Sequence, residues 1–225
     1  MTLEFTSIWP YWPELMAGIW LTIELSFAST LLGFGLGTLC AIGDGSRHAW
    51  IRRLIGAYVE TIRNTPLLVQ IFIVYFGLAT LGLRIDAMVA AIIALVINIG
   101  AYSSEIVRAG LEAIQKGQIE AAESLGLSPW KVTLGVVLPP AIEKVYPALT
   151  SQFVLLMLAT SVTSQISTEE LTAVANRIQS ETYRSFEIYI VAALAYMALS
   201  VLMRLGFWAL GQLIFPRRRR LGTSL

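Results

Sequence analysis

The sequence predicts an all-α integral membrane protein with five transmembrane helices. Of its 225 residues, 56% are hydrophobic and only 14% are charged, whereas about 25% of the residues of an average soluble domain are charged. The mean hydropathy is +0.69. A helix needs roughly 20 apolar residues to cross a bilayer core of about 30 Å, and five stretches of the chain reach that length.

The five apolar stretches are separated by shorter polar segments. They cover residues 15–42, 55–81, 88–107, 141–163 and 188–215. The second stretch contains Pro66, which predicts a kink because proline removes a helical hydrogen bond. The first contains Gly33, Gly35 and Gly37, and these predict close packing against another helix, since small residues let backbones approach.

The basic residues predict the orientation of the chain in the membrane. Lys and Arg concentrate after the first and third stretches and in the C-terminal tail, at Arg47, Arg52, Arg53, Arg108, Lys116, Lys131 and Arg217–Arg220. The loop after the second stretch holds only Arg84. Because cytoplasmic loops carry the excess of Lys and Arg, we expect the N-terminus outside and the C-terminus in the cytoplasm of a bacterial inner membrane.

The inner stretch, residues 109–140, is predicted to form a loop of two short helices. Gly126 suits the C-terminal cap of the first helix, where a left-handed backbone is needed. Ser128 is predicted to cap the second helix and Pro129 to take its first position.

The outer stretch, residues 167–187, is predicted to carry one or two short surface helices. It opens with Ser167-Thr168-Glu169-Glu170. This order is typical of a capping box, in which the first side chain and the acid three residues later each satisfy a backbone N–H of the new helix.

Several classes of protein are excluded by composition and motifs. One cysteine, Cys40, and one histidine, His48, exclude an intrachain disulfide and a multi-cysteine or histidine-rich metal site. The sequence has no Gly-x-Ser-x-Gly, His-Glu-x-x-His or Gly-x-x-x-x-Gly-Lys-Ser/Thr motif. An intramembrane enzyme is therefore disfavoured, and any ATPase that drives the protein must lie on another chain. The net charge of +1 gives no indication of nucleic acid.

The sharpest motif lies in the inner stretch. Glu120-Ala121-Ala122 is followed after three residues by Gly126, and then after nine by Val136-x-Leu138-Pro139. Two alanines allow a helix to approach a partner closely, and Leu138-Pro139 starts the next membrane helix. The pattern resembles the EAA loop of ABC importer permeases, with Val136 in place of an isoleucine.

Further motifs extend this resemblance over nearly the whole chain. They are NTPLLVQ at 64–70, YFGL at 75–78, NIGAYSSEIVRAG at 98–110 and KGQ at 116–118. Together they are similar to permeases of the polar amino acid uptake family, the group that serves histidine, glutamine, glutamate and arginine.

The resemblance implies a fold and a set of partners. The expected fold is the type I ABC importer transmembrane domain, with a second permease subunit, identical or homologous. Two ATPase subunits are expected to bind ATP and Mg²⁺, so this chain needs no cofactor of its own. An external solute-binding protein is expected to deliver the amino acid. Glu120, Ala121, Ala122, Gly126, Leu138 and Pro139 are the expected ATPase-coupling residues.

Two departures from the family pattern bear on specificity. Leu158-Ala159 stands where the family commonly has a Lys-Asp pair, and Gln115 stands where proline is frequent. The first removes charges that help form the path or the subunit contact, so specificity is not carried over from better-known members.

Four polar residues within or beside the apolar stretches are candidates for the substrate path: Glu24, Thr65, Gln70 and Asn98. A carboxylate inside a span costs roughly 3 kcal/mol and indicates a functional site by default. Contacts between helices or subunits explain the same residues, because polar side chains also hold spanning helices together. The sequence leaves both explanations open.

One other kind of transporter remains as an alternative. A self-contained channel or secondary transporter for a small polar solute also accounts for five helices and Glu24. It does not account for a structured, alanine-rich inner loop between the third and fourth spans, and the chain lacks the internal repeats from which many secondary transporters are built.

Overall fold

A computed structural model describes residues 4–215, and this part of the chain is helical, with short turns between helices. Arg217–Arg220, predicted to anchor the tail, lie outside the described residues. The α-helices are α1 Trp12–Asp44, α2 Ala49–Arg63, α3 Leu67–Thr80, α4 Ala87–Glu112, α5 Lys116–Ser124, α6 Pro129–Lys131, α7 Leu138–Ala159, α8 Leu171–Thr182 and α9 Ser185–Ile214. A 3₁₀ segment, Phe5–Tyr11, precedes α1 and another, Thr160–Ile166, follows α7.

Four helical stretches are long and apolar enough to cross a membrane: 5–44, 87–112, 129–166 and 185–214. The pair α2 and α3 passes the same test together and would supply a fifth crossing. The loop between α4 and α7, residues 113–137, contains α5 and α6. It lies at one end of the bundle, and we call this end the loop face. The opposite end, which carries α8, is called the α8 face.

Helix α4 is the centre of the bundle. It contacts α1, α7, α3 and α2. Its buried side chains are mostly small near the α8 face, where Ala90, Ala91 and Ala94 pack with Ile71 of α3. Helix α4 thus touches both halves of the bent pair as well as α1 and α7.

The α1–α4 contact is close because of two glycines. A Cβ atom on Gly37 would lie 2.7 Å from the carbonyl oxygen of Gly100 and 2.6 Å from Ser103 Cβ, and one on Gly33 would overlap Ile99. A Cβ on Gly35 would meet no atom within 4 Å. The predicted close packing is confirmed for Gly33 and Gly37 and is wrong for Gly35, which lies on another face of α1.

The stretch predicted as one kinked span over 55–81 is instead two half-helices. α2 and α3 are bent by 109° at residues 64–66, a far sharper turn than a proline kink. Pro66 has ψ 138° and is the N-cap of α3, and its ring disfavours a helical conformation at Thr65. With 15 and 14 residues, each half is about 22 Å long, which is shorter than a bilayer core of about 30 Å.

The α8 face differs from the predicted capping box. Ser167 adopts a left-handed conformation, with φ 64°, and does not cap α8. Glu170 is itself the N-cap, since its carboxylate accepts from the N–H groups of Thr172 and Ala173, both at 2.9 Å. The predicted box made Ser167 the N-cap and Glu170 the acid three residues later, so α8 begins three residues later than predicted.

Candidate functional site

The loop of residues 113–137 is built around a sharp turn between α5 and α6. Gly126 has φ 76°, and its N–H donates to the carbonyl of Glu123 at 2.9 Å while the N–H of Leu127 donates to the carbonyl of Ala122 at 3.4 Å. These two bonds form a Schellman motif, which requires a left-handed residue after the helix. The predicted C-terminal cap at Gly126 is confirmed. Ser128 precedes α6 as predicted, although its side chain makes no capping hydrogen bond.

Ala122 holds the loop onto its own chain. Its side chain is only 5% exposed and packs with Val132 and Val137 in a small apolar cluster. A methyl group fits here because α5 lies close to the segment that leads into α7, and the coupling role expected for Ala122 stays a prediction. Glu120 and Ala121, on other faces of α5, are exposed.

The outer surface of the loop presents large apolar side chains. Leu125 is 82% exposed and Trp130 is 61% exposed. Leu125 lies in the turn after α5, which also carries exposed Glu120 and Ala121, and Trp130 lies at the first turn of the apolar stretch 129–166. Exposed apolar groups away from the membrane are typical of a protein–protein contact.

The connection from the loop to α7 is an irregular helix. Residues Val132–Val137 form a π-helix that runs directly into Leu138. Pro139 and Pro140 lack N–H groups, so the carbonyls one α-helical turn earlier have no α-helical donor. π segments are rare and are frequent at functional sites. The helix that contains Leu138 and Pro139 thus joins the loop through a segment that is not regular α-helix.

The predicted path residues Thr65, Gln70 and Asn98 are brought together at the α2–α3 bend. The amide nitrogen of Gln70 donates to the carbonyls of Ile62 at 2.8 Å and Thr65 at 3.0 Å, and to Thr65 Oγ1 at 2.9 Å. Its oxygen accepts from Asn98 Nδ2 of α4 at 2.9 Å. Gln70 is 6% exposed. It satisfies carbonyls that the broken helix leaves free and ties the bend to α4, and we call these contacts the polar joint.

Tyr58 adds a second tie between α2 and α4. Its hydroxyl donates to the carbonyl of Ile97 at 2.7 Å, next to Asn98. Gly100 leaves room for this tyrosine, because a Cβ there would lie 2.8 Å from the Tyr58 oxygen.

A charged network lies further along α4, towards the loop face. Glu105 accepts two hydrogen bonds from Arg108, at 3.1 and 3.0 Å, and pairs with Arg63 at the end of α2, at 3.2 Å. Arg108 also donates to Glu112 at 2.6 Å, and Arg63 lies 5.7 Å from the ring centre of Tyr102. The network thus connects the bend with the end of α4 that leads into the loop.

A cleft of about 500 Å³ opens beside this network, between α2 and α4. Its lining includes charges of both signs, from Asp44, Glu60, Arg63, Glu105 and Arg108. Sequence reasoning did not select these residues as a site. The available signal was the presence of Glu105 and Arg108 in the last two turns of an otherwise apolar segment.

Glu24 is separate from the polar joint. It lies on an exposed face of α1, where it accepts a hydrogen bond from Trp20 Nε1 at 2.6 Å. Thus three of the four path candidates form one cluster, and Glu24 is placed elsewhere. Among residues 4–215 no group of three or more His, Cys, Asp or Glu side chains could hold a metal ion.

A buried carboxylate on the α8 face was also missed as a feature. Glu170 is fully buried and accepts from the Tyr196 hydroxyl at 2.5 Å. Burial raises the pKa of the Glu170 carboxyl above its usual range, against the lowering effect of its hydrogen bonds. Thr22 of α1 accepts from the N–H of Leu171 at 3.2 Å, so this cluster joins α1, α8 and α9.

Comparison with known families agrees with this architecture. Residues 33–216 match the model for "Binding-protein-dependent transport system inner membrane component". The chain is 34% identical to the octopine transport system permease protein OccM of Rhizobium radiobacter, over 97% of this chain and 93% of that protein. It is 35% identical to the arginine transport system permease protein ArtQ of Bacillus subtilis, over 90% and 93%. Identity to the probable glutamine ABC transporter permease protein GlnP of Bacillus subtilis is 37%, over 84% and 90%.

Solved structures show the same fold. A crystal structure of an amino acid ABC transporter with histidines superposes with a TM-score of 0.85 and 36% identity, over 94% of this chain and 99% of that one. The MetNI methionine ABC transporter in an inward-facing conformation gives a TM-score of 0.76 at 21% identity, over 91% and 98%. The predicted fold, the type I ABC importer transmembrane domain, is confirmed. The chain belongs to the family of binding-protein-dependent transport system inner membrane components and is a multi-pass permease component of an ABC transporter.

Proposed function

We propose that this chain is the permease subunit of an ATP-driven importer of a polar amino acid, coupled to a separate ATPase through the loop of residues 113–137. The carrying observation is the loop itself. It is held to the chain by Ala122 and turns at Gly126, and it presents Leu125 and Trp130 to an external partner. The amino acid is the class served by relatives whose names specify octopine, arginine and glutamine.

ATP and Mg²⁺ are bound by two ATPase subunits, and this chain supplies the moving helices. When the ATPases close, they displace the loop. The displacement passes through the π-helical segment to Leu138, Pro139 and the rest of α7, and it also reaches α4, because Lys144 of α7 donates to the carbonyl of Ala113 at 3.3 Å. Glu120 and Ala121 face the ATPase, and Gly126 shapes the turn that contacts it. Ala122 packs α5 against the segment that leads into α7.

The helices of two permease subunits, identical or homologous, enclose the path and switch between inward-facing and outward-facing states. A solute-binding protein delivers the amino acid on the side of the N-terminus, and the C-terminus is cytoplasmic. Within the path, Thr65, Gln70 and Asn98 act mainly by holding the bend, since their polar atoms are engaged with one another. Glu24, which is exposed on α1, is the free candidate for contact with a charged part of the substrate.

The test replaces one exposed loop side chain. Leu125→Ser is expected to reduce co-purification of the ATPase and ATP-dependent uptake at least about tenfold, because the loss of one well-buried interface anchor costs about 2 kcal/mol. Leu81→Ser is the matched control. Leu81 is 76% exposed in the turn between α3 and α4, at the opposite end of α4, and its replacement is expected to leave ATPase binding unchanged.

A different result would remove the proposal. If the Leu125 and Leu81 variants bind the ATPase equally well, the loop is not the contact. If the purified chain moves solute into liposomes without any ATPase, the protein is a self-contained channel or carrier.

A further inference from the structure

Arg204 is a charged side chain within a membrane-spanning helix. It lies ten residues before the end of α9 at Ile214 and is exposed on the surface of the bundle. Among the described residues it has neither an ion pair nor a hydrogen-bond partner. An ionisable residue in a span indicates a functional site and calls for a partner to be named.

The depth of Arg204 follows from two aromatic residues of the same helix. Tyr189 and Trp208 are 44% and 56% exposed, and their separation along α9 is about 28 Å at 1.5 Å per residue. This matches a hydrocarbon core of about 30 Å, whose two interfaces are typically marked by Tyr and Trp. Arg204 is one helical turn inside the interface that Trp208 marks, so its long side chain reaches headgroup level.

A small cavity of about 230 Å³ lies against Arg204, between α7 and α9. Trp208 and the hydroxyl-bearing Thr150 and Ser151 also line it. Thr150 Oγ1 already donates to the carbonyl of Pro147 at 2.9 Å. The Ser151 hydroxyl and the Trp208 indole N–H, like Arg204, have no partner among residues 4–215.

The free groups around this cavity are therefore hydrogen-bond donors. Arg and Trp side chains have no acceptor atoms, and a serine hydroxyl can donate. Among residues 4–215, no carboxylate lines the cavity. Such a set fits an anionic oxygen group, and a guanidinium binds phosphate through two parallel hydrogen bonds.

We propose that Arg204, Ser151 and Trp208 form a binding site for the phosphate of an anionic phospholipid. The phosphate lies at the depth that Trp208 marks, where phospholipid headgroups are already present. A soluble anion would have to lose its water to reach the same depth. Snorkelling alone would place the guanidinium in the interface, but it would not explain a cavity lined by two more unengaged donors.

The experiment measures bound lipid directly, on the complete transporter purified in detergent. Phosphatidylglycerol is titrated and the lipid-bound species are counted by native mass spectrometry. Arg204→Gln is expected to weaken one lipid site per permease subunit by about tenfold or more, since it removes hydrogen bonds between two charged groups. Arg204→Lys is expected to retain part of the affinity, because it keeps the charge and loses the planar fork.

Two further variants separate a built site from general charge. Arg53→Gln removes an exposed cation from α2 and is expected to leave the count unchanged. Trp208→Phe removes the indole N–H together with the five-membered ring and keeps an interfacial aromatic ring, and it is expected to weaken the same site several-fold. Equal lipid binding by the wild type and Arg204→Gln would overturn the proposal. So would an Arg204→Gln variant that loses uptake or subunit pairing while its lipid count is unchanged, because the oxyanion would then be a substrate or partner carboxylate. Neither result depends on whether the coupling loop binds an ATPase.

Discussion

Helix α4 has two unlike neighbours. On one side α1 packs through Gly33 and Gly37, and the two helix backbones approach closely. On the other side, α2 and α3 meet α4 at the polar joint, where Gln70 bonds Asn98. Nearer the loop face, Arg63 of α2 pairs with Glu105 of the charged network at 3.2 Å. We call the first contact the glycine seam.

The difference indicates which side of α4 moves. A seam formed by backbone contact has one well-packed arrangement, because interiors are close-packed and do not deform continuously. The polar joint and the charged network consist of hydrogen bonds and partly exposed ion pairs. Such contacts can exchange partners at lower cost, as switching transitions require. We therefore expect α1 and α4 to move as one body, and the half-helices α2 and α3 to change their angle against it.

The largest effect is expected at the glycine seam. Gly37→Ala places a methyl group 2.7 Å from the carbonyl of Gly100, which is backbone and cannot turn away. Overpacking of this kind costs about 3 kcal/mol or more, so the variant is expected to lose most of its folded, monodisperse fraction in size-exclusion chromatography. Gly35→Ala, which meets no atom within 4 Å, is the control and should purify like the wild type. Equal yields for the two variants would show that the seam tolerates separation.

The next effect is expected at the polar joint. Gln70→Leu keeps an apolar side chain of similar size but leaves the carbonyls of Ile62 and Thr65 and the amide of Asn98 without their partner. Each unsatisfied buried group costs about 1–3 kcal/mol, so the melting temperature should fall and uptake should fall with it.

A double-mutant cycle tests whether the joint acts as a unit. Asn98→Ala alone is expected to cost less than Gln70→Leu, and the double variant is expected to cost less than the sum, because the two side chains share one hydrogen bond. Strict additivity of the two losses would mean that Gln70 and Asn98 act independently, and the bend would not be tied to α4 through them.

Sequence alone predicted the apolar parts of this comparison better than the polar ones. Segment lengths gave the long helices, and the turn at Gly126 followed from the need for a left-handed residue. The sharp bend did not follow from Pro66, because proline permits either a kink or a break, and the choice depends on whether Gln70 reaches the freed carbonyls. Ala122 was similarly ambiguous, since a methyl group suits both an external contact and the chain's own packing.

The pH dependence of stability tests a buried carboxyl at the α8-face end of α1, where α8 begins. Glu170 is buried there, and its pKa is raised above the value of about 4.3 expected in the unfolded chain. Between the two pKa values the folded state binds more protons, so the stability contributed by neutral Glu170 is complete below the unfolded value and is lost as pH rises towards the folded value.

Glu170→Gln is expected to remove this pH dependence. The variant also weakens the cap of α8, which costs about 1 kcal/mol, so its melting temperature should lie below the wild type's at pH 4. The gap should narrow as pH increases through the raised pKa of Glu170. Glu169→Gln, one residue earlier and 74% exposed, is the control. A gap that stays constant with pH would show that folding does not raise the pKa of Glu170.

The smallest effect on stability, and the clearest separation of stability from function, is expected at Glu105. Its side chain is 31% exposed, and partly exposed ion pairs contribute about 0–1 kcal/mol, so Glu105→Gln should hardly change the melting temperature. It does weaken the only ion pair between α2 and α4 in residues 4–215, and we expect uptake per ATP hydrolysed to fall several-fold. Glu112→Gln, which loses the pair with Arg108 but not the tie to Arg63, should keep normal coupling. If the two variants transport equally well, the bend does not receive its motion through the charged network, and the polar joint at Gln70 must carry it alone.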